Sequence, residues 1–356
     1  MKADLPPQNV STLCLGAALT LFVFAAVPLS ATAQGRSAGS SDWQMPKTSF
    51  GQPDLQGNWS NATLTPLVRR TGQPAVLSSA EVARIESGAA DAVNAAINEP
   101  SDPDRPLPPG GDNPVCIDSG TTCYNEVYRD PGDRVAVIYG EARSSLLTRP
   151  DGRVPRITPA AQAVVADMRA FNGQFEEFDH PELRPNAERC LVSFGSNAGP
   201  PMLPNYWYNN NYTIVQSPDA VMIMTEMVHD VRIIQLGEPE PSSQDLLSWF
   251  GDSWGHWEGN TLVVETTNIG PDNAFRGIPF SPNGKVTERF TRADDDTIVY
   301  EFTIDDEERY EEPWGGEVPF RRLDDLVYEY SCHEGNYALE GVLRGARFTE
   351  AAETAR

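Results

Sequence analysis

Between Tyr212 and Ser331 the chain is cut into short runs of β-branched and aromatic residues, and this succession limits the folds open to it. The runs are Tyr212–Gln216, Ala220–Val228, Val231–Leu236, Thr261–Thr267, Val286–Arg292, Thr297–Ile304 and Leu326–Ser331. The breaks between them carry turn chemistry: Ser217-Pro218-Asp219, Glu258-Gly259-Asn260 and Ala293-Asp294-Asp295-Asp296. Within Thr297–Ile304, Ile298, Tyr300, Phe302 and Ile304 share one face, and Val299, Glu301 and Thr303 share the other. That is the period of a strand with one buried face. Ser242–Phe250 is the one helical pattern in the region. Strands joined by tight turns pair antiparallel, and closing such a sheet removes its exposed edges. The expected fold is mainly β. It is an antiparallel barrel or half-barrel, lipocalin-like in outline, with an N-terminal arm and two or three short helices.

The order along the chain follows. Residues 34–75 read as an extended arm pinned by Trp43 and Trp59. Residues 76–205 mix helix, loop and strand, and residues 206–347 form the antiparallel β domain. Ser78 followed by Glu81 is a capping box that opens an Ala-rich helix to about Ile97. Thr158-Pro159 opens a second helix to about Phe171, with proline where its missing N–H costs nothing. Val135–Tyr139 and Ser145–Thr148 read as strands.

Residues 1–33 read as a cleavable export signal. Lys2 precedes the uncharged apolar run Leu13–Val27, then Pro28 and the small residues Ala31-Thr32-Ala33 before the expected cut. An uncleaved membrane anchor needs about 20 apolar residues, more than this run supplies before its proline. A lipid-attachment cysteine would follow the apolar run, whereas Cys14 lies at its start. The protein is therefore expected to be periplasmic or secreted, with no membrane span in the mature chain. The formal charge of −24 repels nucleic acid and anionic lipid.

Cys116, Cys123, Cys190 and Cys332 remain after cleavage, and an even count in an oxidising compartment suggests disulfides. Cys116 and Cys123 flank the turn-rich Ile-Asp-Ser-Gly-Thr-Thr and can close a small loop, which leaves Cys190 for Cys332. A zinc site is the alternative, but no Cys-x-x-Cys spacing supports it.

Three of the four histidines lie in the strand-rich region, each beside a carboxylate or amide. Histidine exchanges protons near neutral pH, and a neighbouring carboxylate orients it. The expected catalytic set is His229, Asp230, Arg232, His333 and Glu334. Either histidine would be the base, Arg232 would clamp a developing anion, and Asp230 or Glu334 would orient the base. Each histidine has a plainer reading, a turn residue or a donor to a buried carbonyl. His229, Asp230, His333 and Glu334 also allow a metal in principle, but no His-Glu-x-x-His spacing occurs. No metal or cofactor is expected. Tyr206, Trp207, Tyr208, Asn210 and Tyr212, with Asp252, Asn336 and Tyr337, form the expected ligand-binding set, because aromatic faces beside amides suit a ring-shaped ligand. The competing reading is that the rings plug the end of a barrel. Ser193, Ser196 and Ser253 lack a Gly-x-Ser-x-Gly elbow.

The segments Pro53-Asp54-Leu55-Gln56-Gly57-Asn58-Trp59, Arg189-Cys190-Leu191, Trp257-Glu258-Gly259-Asn260-Thr261-Leu262-Val263-Val264-Glu265-Thr266-Thr267-Asn268 and Cys332-His333-Glu334-Gly335-Asn336-Tyr337 resemble those of a family of bacterial exported proteins. The resemblance spans nearly all of the mature chain. It implies export and favours the Cys190–Cys332 bridge. It implies no reaction.

Together these observations lead to the expectation of an exported enzyme. It would use metal-free His/carboxylate acid–base chemistry, as a lyase, isomerase or hydrolase, on a small aromatic or sugar-like compound. The rival is a non-catalytic periplasmic small-ligand-binding protein.

Overall fold

The structure, a computed structural model, describes residues 43–98, 130–193, 197–205, 208–239 and 246–355. The expected Cys116–Cys123 loop, the export signal, and Tyr206 and Trp207 lie outside these residues.

Nine strands close into one barrel: β1 (Gly57–Ser60), β4 (Asn211–Gln216), β5 (Ala220–Thr225), β6 (Val231–Leu236), β7 (Asp252–Glu258), β8 (Thr261–Thr267), β9 (Lys285–Arg292), β10 (Thr297–Asp305) and β11 (Trp314–Arg322). Strands β2 (Val137–Ile138) and β3 (Glu141–Ala142) form a separate small hairpin. The protein is mainly β, its barrel is complete rather than half, and the lipocalin-like outline is compatible with it. β1, from the segment read as an arm, seals the ring by pairing with both β4 and β11.

Strand number dictates one irregularity. An odd ring cannot alternate direction all the way round, so one neighbouring pair must be parallel. That pair is β6–β7, joined through only Gln235↔Trp254 and Leu236↔Gly255. A parallel pair cannot be joined by a tight hairpin, and β6 and β7 are accordingly separated by fifteen residues in the sequence. With two residue pairs in register, β6–β7 is a weak seam of the wall, as short in register as β1–β11. Gly255 lets the strands approach, since a Cβ there would lie 2.9 Å from Cγ2 of Ile234.

Inward-facing rings fill the barrel. Tyr212 packs on Phe320 at 5.0 Å between centroids, Tyr300 on Phe320 at 5.4 Å, and Phe290 on Tyr300 at 5.0 Å. Such pairs are each worth about 0.5–1.5 kcal/mol beyond their buried area. Among these rings lies a buried ion pair. Arg232 Nη1 donates to Glu288 Oε1 at 3.0 Å, and Nη2 donates to Oε2 in parallel. Arg232 Nη2 also donates to Ser253 Oγ at 3.3 Å and Thr266 Oγ1 at 3.4 Å. Tyr300 OH donates to Glu288 Oε1 at 2.8 Å. The network thus touches β6, β7, β8, β9 and β10 in turn, and its Arg232–Ser253 bond crosses the weak seam. Burial opposes the Arg232 charge, but Glu288 outweighs it, so the guanidinium pKa lies above its ordinary value.

The same network seats a plug. Residues 197–205 are all buried. Met202 N–H donates to Tyr300 OH at 2.8 Å, and Tyr212 OH donates to the Asn197 carbonyl at 3.0 Å. Asn210 Oδ1 accepts from Asn197 Nδ2 at 3.1 Å and from Asn205 N–H at 3.0 Å. Gly199 has φ 74°, and a Cβ on it would sit 2.7 Å from Met202 Cγ and 3.0 Å from Arg232 Nη1. Only glycine fits this approach of backbone to guanidinium.

Among the described residues three α-helices lie outside the barrel: α1 (Ser79–Asn98), α2 (Pro159–Asn172) and α3 (Ala338–Thr354). Both expected caps form. Ser78 N–H donates to Glu81 Oε2 at 2.8 Å while Glu81 N–H donates to Ser78 Oγ at 3.3 Å, and Thr158 Oγ1 accepts from Ala161 N–H at 3.0 Å. Several expectations need correction. The described residues 246–250 of the expected helix Ser242–Phe250 are irregular chain, a bridge at Ser248 and a turn. Leu326–Ser331 is not a strand but unpaired chain outside the barrel. The expected strands around Val135–Thr148 shrink to β2, β3 and isolated bridges at Arg143 and Leu147. Ala220–Val228 ends as a strand at Thr225.

Breaking a buried pair leaves an uncompensated charge, which costs about 3–5 kcal/mol. Arg232→Met is therefore expected to lower unfolding stability by about that amount, measured by urea denaturation at neutral pH. A loss under about 1 kcal/mol, no more than an exposed ion pair is worth, would show that the pair does not hold the barrel together.

Candidate active site

The turn between β5 and β6 carries the first histidine cluster. It is tight enough to force Val228 to φ 62° and His229 to φ 49°. For a β-branched residue such a φ is a genuine outlier, and strain of this kind gathers at functional sites. Beneath it, Glu226 is buried and accepts from Asn211 Nδ2 at 2.8 Å. The His229 ring is exposed, and its Nδ1 lies 3.1 Å from the Tyr330 carbonyl oxygen. A carbonyl can only accept, so Nδ1 carries the proton, and neutral His229 keeps its lone pair on Nε2. Asp230 is half-buried, and its Oδ2 is buried with no hydrogen-bond partner among the described residues. Burial lifts the Asp230 carboxyl to about 6, with His229 pulling the other way.

Tyr330 belongs to a strap that crosses the barrel exterior after β11. From residue 323 to residue 355 no residue is buried. Leu323 N–H donates to the Asn58 carbonyl at 2.9 Å, and Asn58 Nδ2 donates to the Asp325 carbonyl at 3.0 Å. The Cys190–Cys332 disulfide then fixes the strap, joining cysteines 142 positions apart in the sequence. Asn336 Nδ2 donates to the Glu188 carbonyl at 3.1 Å beside that bridge. His333 and Glu334 follow the bridge, both exposed, and the exposed Tyr337 immediately precedes α3. The structure therefore brings the His229 turn against the strap at Tyr330, three residues before His333.

It does not bring the other expected residues there. Arg232, expected as an anion clamp beside the histidines, points into the barrel and is held by Glu288. Tyr212 and Asn210 are buried parts of the core and plug, and burial pushes the Tyr212 hydroxyl pKa well up. Tyr208 is half-buried and its backbone N–H donates to Asn205 Oδ1 at 3.2 Å. Asp252, at the start of β7, accepts from Asn268 Nδ2 at 3.1 Å. Among the described residues no three His, Cys, Asp or Glu side chains converge in a metal-binding group.

Sequence reasoning missed two partners. The Tyr330 carbonyl is backbone and leaves no residue-type signal. Glu288 did leave one: in β9, Val286, Glu288, Phe290 and Arg292 share the buried face, so a carboxylate stands where the alternation demands an apolar residue.

The fold and site define a closed, filled β barrel with a strained His-Asp turn on its rim. Comparison of the chain with protein-family models, curated proteins and solved structures finds no match.

Without apolar burial, the bridge and a few exposed hydrogen bonds hold the strap. Loop-closure entropy assigns a bridge of this span roughly 4–5 kcal/mol. Reduction should raise amide exchange across residues 323–355 and lower the thermal midpoint, while β9 and β10 keep their protection. Exchange mass spectrometry before and after reduction checks this. Unchanged exchange in the strap would mean that other contacts dock it.

Proposed function

We propose that the protein is an exported enzyme that performs metal-free acid–base chemistry at the His229 turn on a small aromatic or sugar-like compound, as a lyase, isomerase or hydrolase. The observation that carries this reading is the pairing of a fixed imidazole with a carboxyl held near neutral. The Tyr330 carbonyl holds the Nδ1 proton, so Nε2 of His229 is the base that removes a proton from substrate carbon or from water. Asp230, at about 6, still holds a proton in part of the population near neutral pH and returns it to the leaving group or to the adjacent carbon. We assign the role of its second wall to His333 and Glu334, three and four residues beyond Tyr330 on the same strap. Arg232 serves the site from within, because its ion pair anchors β6 directly after Asp230. Export follows from the N-terminal signal pattern, and the charge of −24 turns nucleic acid away.

The Asp230 pKa sets a pH dependence with a definite sign. The folded value, about 6, lies above the ordinary 3.8, so the native state holds the proton more tightly than the unfolded chain. Ionised Asp230 therefore costs stability above about pH 6, and the cost fades as pH falls toward the ordinary value. Asp230→Asn should raise the melting temperature at pH 8 and leave it nearly unchanged at pH 4. On a panel of aromatic esters, lactones and uronate sugars, the same variant and His229→Gln should each lose about 10²–10⁴-fold in turnover. Full activity in both variants, or an Asp230→Asn protein that melts lower at pH 8, contradicts the assignment.

A further inference from the structure

A cleft of about 690 Å³ opens at the other end of the barrel. Strand direction fixes its place. β5 runs toward the His229 turn, β6 and β7 run away from it, β8 returns, and β9 runs away again. The β9–β10 turn, residues 293–296, therefore lies opposite His229. The cleft is lined by Asp294, Asp295 and Asp296 of this turn, Arg321 and Arg322 at the end of β11, and Trp43 of the arm, with Asp133, Arg134, Thr297 and Asp324.

Three observations mark it as a built surface. Trp43 Nε1 donates to Asp295 Oδ1 at 3.1 Å, which ties the indole to the turn. Arg321 donates through Nη2 to the Val135 carbonyl at 3.1 Å, while its Nε is buried with no hydrogen-bond partner among the described residues. The nearest carboxylates do not all close on the guanidinium groups: Arg134 and Arg322 lie 3.7 Å from Asp133 and Asp324, and Asp296 is exposed. The walls thus offer donors and acceptors side by side around one indole.

Charge and size select the ligand. An apolar compound would leave these groups desolvated and unpaired. A cation meets three guanidinium groups, and an anion meets five carboxylates. A neutral polyol avoids both conflicts, since each hydroxyl donates to a carboxylate and accepts from a guanidinium, and the C–H face of a sugar ring stacks on an indole. The volume lies within the range of small-molecule sites, about 300–1,000 Å³. We propose that this cleft binds a neutral mono- or oligosaccharide, as a second site separate from the acid–base turn.

The test is a glycan array of neutral mono- and oligosaccharides probed with the whole protein and competed with the same free sugars. At least one glycan should be retained and competed off. Binding should fall at least tenfold in Trp43→Ala, Arg321→Gln and Asp296→Asn, and stay unchanged in His229→Gln. Asp296→Asn alters only an exposed side chain, so it decides the matter if the other two fail to fold. Absence of binding to every neutral glycan, binding indifferent to Asp296→Asn, or calorimetric binding of only spermine or inorganic phosphate overturns the proposal.

Discussion

The structure depends on a guanidinium and a carboxylate that meet inside a closed barrel. Burying either charge alone would cost several kcal/mol, so Arg232 and Glu288 must find each other for the ring to close. Their remaining valences then organise what surrounds them. Ser253 and Thr266 accept from Arg232 and carry the network over the β6–β7 seam, where the backbone supplies only two residue pairs. Tyr300 relays the carboxylate to the Met202 N–H and so fixes the plug. The odd strand number creates a weak wall, and this network spans it.

A barrel filled in this way leaves the proposed site to the rim. Aromatic rings and the plug occupy the interior, and the expected ligand-binding residues Asn210 and Tyr212 are part of that filling. The strained turn at Val228 and His229 sits just before Arg232, so the buried pair anchors the strand while the turn projects the imidazole outward. From the other side a strap without buried residues brings the Tyr330 carbonyl to His229, held in place by the Cys190–Cys332 bridge. Rigidity comes from the barrel, and the strap is tethered covalently.

Much of the barrel was legible because its strands alternate cleanly. β6, β8, β9 and β10 each follow a short β-branched run ended by turn residues, and the sequence expectation matches their spans to within a residue or two. β7 escaped notice because Trp254, Gly255, His256 and Trp257 break the alternation, and β11 because Gly315, Gly316 and Pro319 resemble loop. Gly341 and Gly345 masked α3 in the same way. Leu326–Ser331 has strand-like composition but no neighbouring edge to pair with, a tertiary condition that composition does not carry. The His229–Asp230 turn and the Cys190–Cys332 bridge stood out as residue types. The Tyr330 contact did not, because it is a backbone oxygen 101 positions away. The cleft did not either, because its walls come from four distant parts of the chain.

The central claim about the site is that the Tyr330 carbonyl fixes the His229 tautomer and leaves Nε2 as the base. Long-range proton–nitrogen correlation spectra of uniformly ¹⁵N-labelled protein, recorded above the imidazole titration, report that tautomer directly. The account predicts His229 protonated at Nδ1, with an unprotonated Nε2 resonance. A His229 ring protonated at Nε2 under those conditions would contradict it.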